Sequence, residues 1–198
     1  MVFYRRNLPH WHPVDKSYFV TWRLAGSLPR GVLRKPSTTG RRPVATSDAT
    51  SHTTLDDVFP SDDFLDADAW LDRALDGPVW LRDPRVAQMV VDALHFGETQ
   101  LKLYSLSAYV VMPNHVHVLW TPRVLLERIT RRLKGFTSLQ ANRILNRSGR
   151  RFWQEESFDH WIRNESQFDH VARYIQNNPV KASLVRKSED WQWSSASR

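Results

Sequence analysis

The chain has 198 residues, is 41% hydrophobic and carries a formal net charge of +7, which suits one domain with its own core rather than a disordered tail. It contains no cysteine, so disulfides, thiolate nucleophiles and Cys-based zinc ribbons are excluded. No apolar run approaches membrane-spanning length and the start lacks a signal-peptide pattern, so the expectation is a cytoplasmic protein that works without a membrane.

In chain order, the first regular element is a strand over 18–24, where aromatic and β-branched residues run into Gly26 and Pro29. Residues 34–63 are rich in Ser, Thr, Pro, Gly and Asp without apolar periodicity and read as a flexible surface insertion within a single domain spanning 1–198. A short helix is expected over 67–75, closed by Gly77-Pro78. Asp83-Pro84 then supplies a capping carboxylate and a first-turn proline. Val86, Met89, Val90, Ala93 and Leu94 recur at helical spacing after it, and Gly97 is taken as the end.

Two strand-like runs follow, 105–112 and 115–120, joined by Pro113-Asn114 and read as a hairpin. A basic helix over 125–145 and a turn at Ser148-Gly149 come next. The charge is concentrated here. Residues 1–100 hold 12 Lys+Arg against 13 Asp+Glu, whereas 101–198 hold 16 against 8, and Arg123 to Arg151 contains nine bases with one acid, Glu127. Such a segment fits a polyanion partner or an ordinary solvated face. A further strand over 158–162 and a helix over 166–178, stopped by Pro179, complete the order. Strands interleaved with helices on one face predict an α+β, ferredoxin-like antiparallel sheet.

Within "VVMPNHVHVLW", residues 110–120, a period of two puts His115 and His117 on the same face of a strand. Two imidazoles so placed can share one metal ion, or they can be two histidines with structural or solvent-facing roles. In "QFDHVARYIQNNP", residues 167–179, Tyr174 and Asn178 stand one helical turn apart beside the apolar stripe of Phe168, Val171, Ala172 and Ile175. That pair fits a phenol and an amide oxygen set over the histidines, or an ordinary helix flank with a terminator before proline. Asn114 carries no assigned role.

The segments "AYVVMPNHVHVLW", "FWQEESFDHWIRNESQF", "RYIQNNPVKASLV" and "DWQWSSAS", in that order, together with "YFVTWRLAGSLP", resemble the REP-associated tyrosine transposases, single-tyrosine HUH transposases of the small bacterial insertion-sequence type. The resemblance spans nearly the whole chain outside 34–63. It implies that His115 and His117 bind a divalent metal, Mg²⁺ or Mn²⁺, that Asn178 supplies a third ligand, and that Tyr174 is the nucleophile. The implied activity is cleavage and rejoining of single-stranded DNA through a 5′-phosphotyrosine intermediate at hairpin sequences. Arg131, Arg132, Lys134, Arg150 and Arg151 become the expected DNA-backbone contacts. Phe136, Phe152 and Trp153 are candidates for base stacking, with a core role favoured for Trp153. A domesticated protein that holds a hairpin without cutting it is the alternative, and monomer and homodimer both remain open.

Overall fold

A computed structural model describes residues 2–5, 9–12, 16–28, 68–69, 71–73 and 77–197. The 34–63 stretch lies outside these residues. Two short strands, β1 (Val2–Arg5) and β2 (Pro9–His12), pair antiparallel where the sequence pattern predicts nothing. The main sheet is built from β3 (Tyr18–Arg23), β4 (Tyr104–Val111), β5 (His115–Pro122) and β6 (Phe158–Trp161). Its order is β4-β5-β3-β6, with every neighbour antiparallel.

The central strands β3 and β5 are buried on both faces, and the period of two sorts their side chains. Tyr18, Val20, Trp22, Val116, Val118 and Trp120 enter one apolar cluster with helix α1 (Pro84–Thr99) and helix α2 (Leu126–Ile144). Phe19, Ala108, Val110 and Leu119 enter a second cluster with Val171 and Ile175 of helix α3 (Glu165–Lys181). The expected antiparallel α+β sheet is therefore present, with one refinement: α1 and α2 cover one face and α3 the other. The outer edge of β4 is closed by the chain end, where Val111 N–H donates to Trp193 O (2.9 Å) and the Trp191 indole N–H to Val111 O (3.0 Å).

Two helix ends differ from the sequence reading. Gly97 does not end α1, which continues to Thr99. A Cβ at Gly97 would collide with the Tyr104 hydroxyl, which donates to Leu94 O (2.7 Å) inside the core, so the glycine serves close approach and not termination. Nor does Pro179 end α3. The helix runs through it to Lys181, because Ala182 N–H still reaches Asn178 O and Leu184 N–H reaches Pro179 O, each at 2.9 Å; the proline removes only its own N–H bond. At α1 the expected cap is present, Asp83 accepting from Arg85 N–H at 3.0 Å with Pro84 behind it.

Candidate functional site

His115 and His117 open the most buried strand of the sheet. Alternation turns Val116 into the α1/α2 core and both imidazoles toward α3, where neither is exposed. Their Nε2 atoms lie 3.0 Å apart. The other ring nitrogens are fixed from behind: His115 Nδ1 is 2.7 Å from Asn114 Oδ1, and His117 Nδ1 is 2.7 Å from Thr21 Oγ1 across the β3–β5 pairing. Asn114 donates its amide N–H to Leu71 O (2.9 Å), so its oxygen faces His115. That places the His115 proton on Nδ1 and leaves Nε2 as a lone pair. Thr21, whose hydroxyl can donate or accept, accommodates either tautomer of His117. Phe19 stacks on the His117 ring, with centroids 5.4 Å apart.

Tyr174, Asn178 and Lys181 share one face of α3 at spacings of four and three residues. All three converge on Asp68, which lies at the helical residues 68–69, just before those at 71–73, and is 1% exposed. The Tyr174 hydroxyl donates to Asp68 Oδ2. Lys181 Nζ (3.3 Å) and Asn178 Nδ2 (3.4 Å) approach the same oxygen. Oδ1 turns the other way and lies 3.1 Å from His117 Nε2 and 3.8 Å from His115 Nε2. Lys181 is shared with Asp72 at 3.2 Å. Tyr174 sits 6.0 Å from the His117 ring, centroid to centroid.

Burial, followed by the neighbouring His117, pushes His115 down to about 3, so it is neutral and able to ligate at physiological pH. Burial alone would raise the Asp68 carboxyl, but the histidines and its hydrogen bonds outweigh that and hold it well below the usual carboxylate range. Burial and then the Asp68 charge raise the Tyr174 phenol above its ordinary value, so it rests protonated. Asp72 is pushed up to about 6 by burial and then by Asp68.

Whether these atoms suit a cation can be judged from their spacing. Donors that share an ion at about 2.1 Å stand about 3.0 Å apart at right angles and about 3.4 Å at the tetrahedral angle. His115 Nε2, His117 Nε2 and Asp68 Oδ1 are 3.0, 3.1 and 3.8 Å apart, and they form the His/Asp group among the described residues close enough to share a metal. The Asn178 side-chain oxygen is buried with no hydrogen-bond donor among the described residues. The donor set fits a divalent cation.

The family profile described as "Transposase IS200 like" matches residues 86–178, a span that holds both histidines, Tyr174 and Asn178. A REP-associated tyrosine transposase of Escherichia coli (strain K12) is 29% identical over 96 residues, covering 48% of this chain and 56% of that protein. The chain is thus similar to the IS200-like transposases over residues 86–178 and to a REP-associated tyrosine transposase over 96 residues. It spans about half the length of this curated relative. A solved structure described as a REP-associated tyrosine transposase bound to a REP hairpin superposes with a TM-score of 0.54 at 19% identity, covering 98% of this chain and 82% of that one, and so shares the fold.

Asp68 is the site residue that sequence reasoning missed. Asp68 and Asp72 stand at helical spacing beside Leu71, but two acids four residues apart also describe any solvated helix face, and no local pattern points them at residues 115–117. The expected DNA contacts lie outside the cluster. Arg131, Arg132, Arg150 and Arg151 are exposed, and α2 packs on the sheet face opposite the histidines. The 150–154 segment nevertheless runs beside the end of β3, where Gln154 N–H donates to Arg23 O (2.8 Å) and Arg23 pairs with His115. Lys134 is already engaged, its Nζ donating to Glu155 O (2.7 Å) and Ser157 Oγ (3.1 Å). Among the aromatic candidates, Phe152 and Trp153 are core residues, whereas Phe136 is 50% exposed.

Proposed function

We propose that this protein is a metal-dependent single-stranded DNA transposase that cuts and rejoins strands through a covalent link to Tyr174, at hairpin sequences, within one domain over 1–198. The observation that carries this reading is the convergence of the Tyr174 hydroxyl and the paired imidazoles on opposite oxygens of one buried carboxylate. His115, His117 and Asn178 would hold Mg²⁺ or Mn²⁺, which when bound withdraws charge from a phosphate oxygen and orients the scissile bond.

Tyr174 Oη attacks phosphorus, the Oη–P bond forms and the P–O3′ bond breaks. The phenol gives up its proton and the departing 3′ oxygen takes one, leaving a 5′-phosphotyrosine and a free 3′-OH. Attack by a DNA 3′-OH on that link later reseals a strand and returns Tyr174, so no ATP is required. Because the phenol rests protonated, its proton needs an acceptor, and its hydroxyl already donates to Asp68. A DNA phosphate would approach from the α3 side, where Tyr174 is half-buried and the Lys181 side chain is 42% exposed. Arg131, Arg132, Arg150 and Arg151, with Lys134 where its amine is released, would hold the strand backbone. Hairpin DNA as partner is supported by the basic segment and by the hairpin complex of the structural relative.

The test is a denaturing gel of the protein incubated with a REP-type hairpin oligonucleotide and Mn²⁺. A protein–DNA adduct is expected with the parent and none with Tyr174→Phe. An adduct that persists in the phenylalanine variant refutes the assignment, and tight hairpin binding with no cleavage under Mg²⁺ or Mn²⁺ would make this a non-cleaving binder.

A further inference from the structure

Asp68 reaches the site from far outside the histidine strand and the tyrosine helix, and it is held there by a structural link. Leu71, three residues on, is buried, and its carbonyl accepts from Asn114, the residue that orients His115. The segment bearing the carboxylate and the first imidazole are thus braced by the same amide. We propose that Asp68 is a fourth protein ligand of the divalent cation through Oδ1, beside His115, His117 and Asn178, and the positioning residue of Tyr174 through Oδ2, so that one carboxylate couples cation binding to placement of the nucleophile. The inference rests on the reading of the site as a metal-dependent tyrosine nuclease and deepens it.

Three observations support it. First, the two oxygens are divided: Oδ1 faces the two Nε2 atoms, while Oδ2 receives Tyr174, Lys181 and Asn178. Second, a carboxylate that is 1% exposed needs positive charge close by. The ammonium ion-paired with it, Lys181, is shared with Asp72 and partly exposed. Third, two imidazoles alone favour borderline ions such as zinc and copper, whereas a carboxylate and an amide oxygen suit manganese and magnesium. With Asp68 included, the donor set shifts toward the harder ions.

The experiment is a Mn²⁺ titration of the full chain, without DNA, followed by the EPR signal of free Mn²⁺, on the parent, His117→Ala, Asp68→Asn, Tyr174→Phe and the Asp68→Asn/Tyr174→Phe double variant. His117→Ala should abolish binding. Asp68→Asn should weaken it at least about tenfold, and Tyr174→Phe about tenfold, the lower end of the loss expected when a group orienting a ligand is removed. In the Asp68→Asn background the tyrosine change should have no further effect, the mark of coupling through one residue. If Asp68→Asn binds like the parent while His117→Ala does not, Asp68 is no ligand and the wider reading stands. If the Tyr174→Phe loss is the same in both backgrounds, the coupling is refuted. If His117→Ala binds like the parent, the wider reading itself fails. Electron-nuclear double resonance on the Mn²⁺-loaded parent, labelled with ¹³C-carboxyl aspartate, needs no variant: a bound-carboxylate coupling is expected, and its absence overturns the assignment even if Asp68→Asn does not fold.

Discussion

Replacing Asn114 should separate two quantities that a merely structural residue would move together. Its side chain is fully buried and spans from His115 Nδ1 (2.7 Å) to Leu71 O (2.9 Å). Asn114→Ala leaves a buried N–H and a buried carbonyl without partners, at about 1–3 kcal/mol each. Partial release of the 68–73 segment would relieve the second, so the expected loss of unfolding free energy is about 2–4 kcal/mol. The same change frees the His115 ring to rotate, and losing a group that orients a metal-binding histidine weakens metal affinity about 10- to 100-fold. Asn114→Asp behaves differently. Its carboxylate still accepts the Nδ1 proton but has nothing to donate to Leu71 O, so stability falls while Mn²⁺ affinity is kept. Urea unfolding in EDTA reads the first quantity and a Mn²⁺ titration the second. If Asn114→Ala binds Mn²⁺ within about twofold of the parent, or the two variants lose affinity equally, the orienting role is wrong.

Arg131→Ala/Arg132→Ala should reduce the slope of log affinity against log salt for a single-stranded hairpin by about 1.4, at about 0.7 per phosphate contact; an unchanged slope removes this pair from the interface. Gly97→Ala should destabilise by about 1–3 kcal/mol through the clash with the Tyr104 hydroxyl, although helix propensity alone favours alanine by about 1 kcal/mol. Pairing it with Tyr104→Phe should recover part of the loss, and urea melts that show simple additivity would contradict the packing argument.

What could be read in the sequence was whatever local periodicity encodes. A period of two put His115 and His117 on one strand face, and a period of four put Tyr174 beside Asn178; both pairings hold in the structure. The capping pair Asp83-Pro84 worked for the same reason, since a cap acts within three residues of itself. Gly97 and Pro179 were misread because their meaning depends on residues elsewhere: the hydroxyl of Tyr104 in one case, and the packing that carries α3 on to Lys181 in the other. Which sheet face each helix covers is likewise a long-range property, so the sequence could place the basic residues of α2 on a helix but not on the side away from the histidines. Asp68 is the extreme case, an ordinary acid until a fold brings it to strand β5.

The charge around Asp68 makes a last prediction whose sign is informative. Without a cation, the buried Asp68 is matched by Lys181, which also faces Asp72, a carboxyl pushed up to about 6 and therefore largely ionised at pH 7.5. A divalent ion turns the net charge of these three groups from about −1 to about +1; the Lys181 ammonium opposes the ion, while the positive site that results attracts a DNA phosphate. A single and a double charge about 6 Å apart under water-like screening repel by about 1.4 kcal/mol, about tenfold in affinity. With the Lys181 side chain 42% exposed, this screened value is the appropriate one. Lys181→Met should therefore tighten Mn²⁺ binding about five- to tenfold, while weakening capture of a hairpin oligonucleotide by the Mn²⁺-loaded protein. Opposite shifts follow from electrostatics alone. If both affinities fall together, Lys181 acts by holding Asp68 in place, and the charge argument fails.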